Sequence, residues 1–220
     1  MTEAEWLVAT EPESMVQALR SVVGSWRKFR LFAVACCKRM VQTVPVPEGS
    51  LRAVELAERY ADGNTSSLAV HVPWEPCSSA AWHACLNCLE TDDPVELADC
   101  ASGNSSWAVA ESGQVPPHHN ARGPVFKARL AAEQTVQASL VCCIFGNPFR
   151  PVAFAPSWRS ETAVSLAAGI YEERTFDRLP ILADALEEAG CDNADVLNHL
   201  RGPGPHARGC WVVDGVLGKE

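Results

Sequence analysis

The sequence predicts an all-α protein, a compact bundle of about eight or nine helices with a long central loop. Three observations carry that expectation. Apolar residues recur at intervals of three and four, helix-capping residues and glycines punctuate the apolar runs, and no β-branched segment alternates with period two. At 220 residues, 47% of them hydrophobic, the chain is large enough to bury a substantial core and too apolar to be disordered. It reads as a single helical domain over 1–220. Weak divisions separate N-terminal helices (1–64), an irregular middle (65–123) and C-terminal helices (124–220).

Thr10 and Glu13 have the form of a capping box, with Pro12 in the first turn and Met15, Leu19 and Val22 on one face. Ser25 caps the next helix, where Phe29, Phe32, Ala33, Cys36, Cys37 and Met40 repeat at helical spacing. Leu31, Val34 and Ala35 fill its opposite side, so this helix belongs at the centre of a core. Ser50 opens a third helix with Val54, Ala57 and Ala61 facing inward, and Gly63 stops it. Ser78 caps a segment running to Glu90, and Asp93-Pro94 starts a short helix. Residues 102–123, rich in Ser, Gly, Asn, Pro and His, read as loop with one helical turn near Trp107. Pro124 begins a long helix to Phe145. Ser160, Asp177 and Asp192 open three further helices, and Gly202-Pro203-Gly204-Pro205 turns the chain into a last amphipathic piece from His206.

Lys and Arg number 18 against 27 Asp and Glu, a formal net charge of −9. The one basic cluster, Arg27, Lys28, Arg30, Lys38 and Arg39, reads as a solvated helix face. A phosphate-binding footprint is therefore missing, and neither nucleic acid nor an anionic membrane is an expected partner. No apolar run approaches the roughly 20 residues of a membrane span, and the acidic N-terminus has no signal-peptide form. The expected location is the cytoplasm.

Ten cysteines raise the question of metal or disulfides. In a chain of this size without export signals, the expectation is buried free thiols, most clearly at Cys36-Cys37 and Cys142-Cys143. Zinc is the lesser reading, and its candidates are Cys77, His83, Cys85, Cys88 and Cys100. A single C-x-x-C is weak, and offsets of two and five on a helix spread the ligands over different faces. A Cys–His nucleophile is the first enzymatic option, at Cys210 with His206 and with His199 nearby, while His118 and His119 lie on the long loop. Four residues apart on a helix, His206 and Cys210 could meet, yet nothing supplies an orienting third group, and a packed Cys beside a half-exposed His is preferred. The carboxylate pairs Asp92-Asp93, Glu172-Glu173 and Glu187-Glu188 point apart on helices, and no metalloprotease, deaminase or phosphate-loop motif occurs.

Six blocks, MTEAEWL, RKFRLFAVACCKRM, AVELAERYADG, IFGNPFRPV, FDRLPILADALEEAGC and HLRGPGPHARGCWVVDGVLGKE, resemble a helical family abundant in Gemmata-type planctomycetes. The resemblance covers roughly 1–64 and 140–220. The middle departs from it: the family's alanine-rich helix is replaced by CSSAAWHACLNCLE. RLPILADALEEAGC is also similar in shape to the helix of short planctomycete repeat-companion domains. Both resemblances imply packed helices and no particular chemistry. The functional expectation is a non-enzymatic helical interaction or scaffold module with a protein partner, for which Trp107, His118 and His119 are candidate contacts. The alternative is a small enzyme or metal-binding protein using Cys and His of residues 71–120.

Overall fold

The computed structural model describes residues 1–20, 22, 25–64, 80–81, 83–85, 93–112 and 123–219. The protein is all-α, and no strand occurs among the described residues. No described helix is long and apolar enough to cross a membrane. The chain divides into two compact units, Met1–Val141 and Cys142–Glu220. That division falls inside a helix, not at the composition shifts near residues 64 and 123.

The N-terminal unit begins with a helix that the periodicity did not predict, α1 (Glu3–Val8). The Thr2 hydroxyl accepts from the Glu5 amide at 3.3 Å, and the Thr2 amide donates to the Glu5 carboxylate at 2.7 Å. This reciprocal box holds a six-residue helix whose buried residue is Trp6. The box expected at Thr10 and Glu13 does not form. Glu11 precedes α2 (Pro12–Leu19) without a side-chain cap, while Met15 and Leu19 are fully buried as their spacing requires. Val22, assigned to the same face, is exposed.

Helix α3 (Trp26–Met40) starts where Ser25 accepts from the Lys28 amide, and it is buried nearly all round. Phe29, Phe32, Cys36, Cys37 and Met40 lie inside, as do Leu31 and Val34 on the other side. The basic cluster on this helix is not a free solvated face. Lys38 pairs with Glu58 at 2.6 Å, Arg39 with Glu133 at 2.9 Å, and Arg27 with Asp62 at 3.3 Å. Those carboxylates come from the neighbouring helices, so the positive charges pin α3 in place. Helix α4 (Glu48–Ala61) starts two residues before Ser50, which sits inside it and is buried. Gly63, at φ +70°, closes it as expected, its amide reaching Tyr60 O and the Asn64 amide reaching Arg59 O.

The expected loop at 102–123 is corrected over its first half. Helix α5 (Pro94–Glu111) runs straight through it from an Asp93 cap, whose carboxylate accepts from the Val95 and Glu96 amides. Its inward stripe is made of small residues, Ala98, Ala101, Ser102, Ser105 and Ala108, packed chiefly against α3. Burial against a neighbour overrides the weak helix propensity of Ser, Gly and Asn. The hydroxyls are satisfied internally. Ser105 donates to Ser102 O, Ser102 donates to the Gln137 carbonyl at 2.7 Å, and the Gln137 amide donates to Ser105 at 3.1 Å. Gln137 belongs to α6 (Pro124–Phe145), which spans the predicted range.

In the C-terminal unit, the remainder of α6 is followed by α7 (Glu161–Glu173), α8 (Leu179–Glu188), α9 (Ala194–Arg201) and α10 (Trp211–Leu217). Ser160 caps α7 through the Ala163 amide at 3.2 Å. Asn193, one residue beyond the expected Asp192, caps α9. Asp177 lies in a 3₁₀ turn ahead of α8 and does not cap it. Ile170, Leu182, Leu186, Val196, Leu200 and Val213 form the centre of this unit's core.

Candidate metal centre

At one edge of that core, four chain segments deliver two thiols and two imidazoles to a common point. Cys143 comes from the last turn of α6. Gly146 ends this helix at φ +70°, its amide donating to Cys142 O at 3.0 Å. A Cβ at Gly146 would press on the Trp211 indole at 3.2 Å, so glycine is required there both for conformation and for space. His199 sits in the last turn of α9. The chain then leaves through Gly202-Pro203-Gly204-Pro205. Gly204 has φ +88°, and a Cβ on it would lie 3.1 Å from both the amide nitrogen and Cδ2 of His206. That loop thus forms a close cradle for the His206 ring.

The reading that placed His206 and Cys210 on one helix is corrected here. Residues 203–207 carry no helix, the Cys210 amide closes a turn onto Ala207 O at 3.1 Å, and Gly209 is at φ +92°. Only then does α10 begin, with Cys210 as its N-terminal flanking residue. The two side chains therefore meet across a turn.

The contacts are specific. Nε2 of His199 lies 3.2 Å from Sγ of Cys210, and Nδ1 of His206 lies 3.7 Å from Sγ of Cys143. All four ligand atoms fall within 4.8 Å of one another. A tetrahedral zinc with ordinary Zn–S and Zn–N bonds has ligand–ligand edges of about 3.3–3.8 Å, so small side-chain adjustments close the cluster onto an ion. The orientation of His206 is also that of a ligand. Its Nε2 is 3.2 Å from Gly202 O, a carbonyl that can only accept, which assigns the proton to Nε2 and turns a bare Nδ1 toward the sulfurs. The two imidazoles meet edge-on at 5.1 Å, and the His199 ring lies 5.6 Å from that of Trp211.

Electrostatics follow from that crowding. Burial pushes the Cys210 thiol up, but contacts with Cys143, His199 and His206 outweigh it and hold Cys210 well below the usual thiol range. Cys143 moves the other way, because its hydrogen bond to Cys210 and its burial both favour the thiol. Burial also opposes protonation of His206, yet its bonds to Cys210 and Gly202 O prevail and raise it.

The zinc candidates read from the sequence do not assemble among the described residues. His83 is exposed and Cys85, two residues on, is buried, so the two face different ways. Cys100 is held protonated by burial and by the charges of Glu96 and Asp99. Cys77 and Cys88 lie outside the described residues, as do His118 and His119. Trp107 stands on α5, not on a loop, with its indole donating to Glu111 at 2.7 Å and its ring edge-on to Phe126 at 4.8 Å. Next to Cys143 in the chain, Cys142 is pushed up to about 11 by burial and is not part of the cluster. Three of the four converging residues were visible as His199, His206 and Cys210, in an H-x6-H-x3-C spacing around a rigid Gly-Pro turn. The fourth, Cys143, carries only the signal of a buried thiol in an apolar helix. The chain matches no family model, no curated protein and no solved structure.

Proposed function

We propose that the C-terminal unit is a zinc-stapled helical module, with Cys143, His199, His206 and Cys210 as the ligands. The convergence of these four ligand atoms within 4.8 Å carries the reading. Two sulfurs and two imidazole nitrogens suit zinc better than the oxygen-seeking cations. Four protein ligands saturate the ion and leave no position for water or substrate, so the metal works as a structural brace. It ties the end of α6, the end of α9 and the start of α10 to the loop carrying His206. A rigid helical surface braced in this way serves recognition of a protein partner better than it serves catalysis.

Metal analysis of the full chain, purified in reducing buffer with zinc supplied, tests this. One zinc per chain is expected, falling to a background level in Cys143→Ser and Cys210→Ser. Cobalt substitution should give the intense visible bands of a tetrahedral thiolate site. Less than about 0.1 zinc per chain, with no cobalt spectrum, overturns the proposal.

A further inference from the structure

We infer that the same centre is redox-gated: oxidation joins Cys143 to Cys210 as a disulfide and expels the zinc. The inference rests on the zinc reading and adds to it a regulation. Its basis is geometric. Cys143 and Cys210 stand 67 positions apart in sequence, yet their sulfurs share one pocket, within 4.8 Å of each other. Of the other two described cysteines in this unit, Cys142 and Cys191, neither is in the cluster.

The four ligands also differ in access. Both sulfurs are buried, whereas the two histidines are only partly buried and the loop beside them, at Pro203 and Gly204, is open to solvent. A small oxidant such as hydrogen peroxide can therefore approach through the histidine side. The step balances. Two thiolate sulfurs each give up one electron, an S–S bond forms, the peroxide O–O bond breaks, and two protons complete two waters. A disulfide is a poor zinc ligand, and the two imidazoles left behind cannot hold the ion alone. Bound zinc and the Cys143–Cys210 bond are mutually exclusive states of one pocket.

The test uses the full chain, reduced and loaded with zinc, with its metal content measured before any oxidant is added. Hydrogen peroxide is then titrated in while released zinc is followed with a colorimetric chelator. Intact mass and peptide mapping follow the cysteines. The expected result is one zinc released per disulfide, a mass lower by about 2 Da, and a Cys143–Cys210 cross-linked peptide. Reductant should restore zinc uptake, and Cys142→Ser should behave as the parent chain does. Zinc retained with both thiols intact, while a free dithiol in the same tube is oxidised, overturns the switch and leaves the staple standing. Zinc lost through other cysteine pairings or through sulfonic acids likewise overturns it. Absence of zinc before peroxide is added removes the staple, and the switch with it.

Discussion

Zinc added to the metal-free chain is expected to raise the melting midpoint of the C-terminal unit and leave that of the N-terminal unit unchanged. All four ligands belong to Cys142–Glu220, so the ion binds only when that unit is folded. With free zinc buffered a hundredfold above its dissociation constant, linkage stabilises the folded unit by about 2.7 kcal/mol. For a unit of about 80 residues, each kcal/mol moves the midpoint by about 4–8 °C, so the expected shift is about 10–20 °C. Each further tenfold rise in free zinc should add about 1.4 kcal/mol. Calorimetry of the full chain at several chelator-buffered zinc levels reads this directly. Phe32→Ala identifies the other transition, since Phe32 is fully buried in α3. A shift under about 2 °C across that zinc range, or equal movement of both transitions, would refute the assignment of the ion to this unit.

Further outcomes follow from other parts of the molecule. Phe32→Ala should itself cost about 3–5 kcal/mol in denaturant titration, and a loss under about 1 kcal/mol would show that α3 is not central. Gly204→Ala places a side chain at φ +88° and against His206, so zinc affinity should fall by about 10- to 100-fold while helix content by circular dichroism is kept. Asp99, raised by burial to about 6 despite its bond from Gln17, binds its proton more tightly folded than unfolded. Stability should therefore fall as pH rises from about 4 to 6, and Asp99→Asn should flatten that slope. Because Asp99 is only partly buried, the gain from Asp99→Asn at pH 7 should be about 1 kcal/mol, well below what the full shift would imply. Urea titrations at pH 4.5 and 7 decide it, and an unchanged slope would refute the argument.

What the sequence made legible were the elements that carry their own evidence. In α3 large apolar residues repeat over four turns behind a Ser25 cap, and in α6 Pro124 marks the start and Gly146 the end. The start of α5 at Asp93-Pro94 was legible, but its second half was not, because beyond Leu97 the buried stripe consists of alanines and serines, which have little hydrophobic contrast and are buried chiefly against α3. Helix α1 was missed because six residues give no periodicity, only a cap. In the metal centre, His199, His206 and Cys210 attracted notice but in the wrong geometry, since the positive φ of Gly209 is invisible in an i,i+4 count. Cys143 gave no signal at all. Its environment in the sequence is an apolar helix, and only the tertiary fold brings it to ligands more than fifty residues away.

The hydrogen-bonded trio of Ser102, Ser105 and Gln137 constrains how this sequence can drift. Gln137 is fully buried, and both ends of its amide are engaged by the two serine hydroxyls on α5. Changing Ser102 to alanine strands the side-chain oxygen of Gln137 away from water, at about 1–3 kcal/mol, while its nitrogen, which also donates to Glu133 at 3.3 Å, tolerates loss of Ser105 better; apolar residues of matching shape at all three positions would remove the buried amide altogether. Neutral passage between the two solutions is closed to a single step at Ser102 and open to a concerted one. In a collection of diverged descendants, positions 102 and 137 should travel together, both polar or both apolar, with mixed combinations rare and position 105 following less strictly.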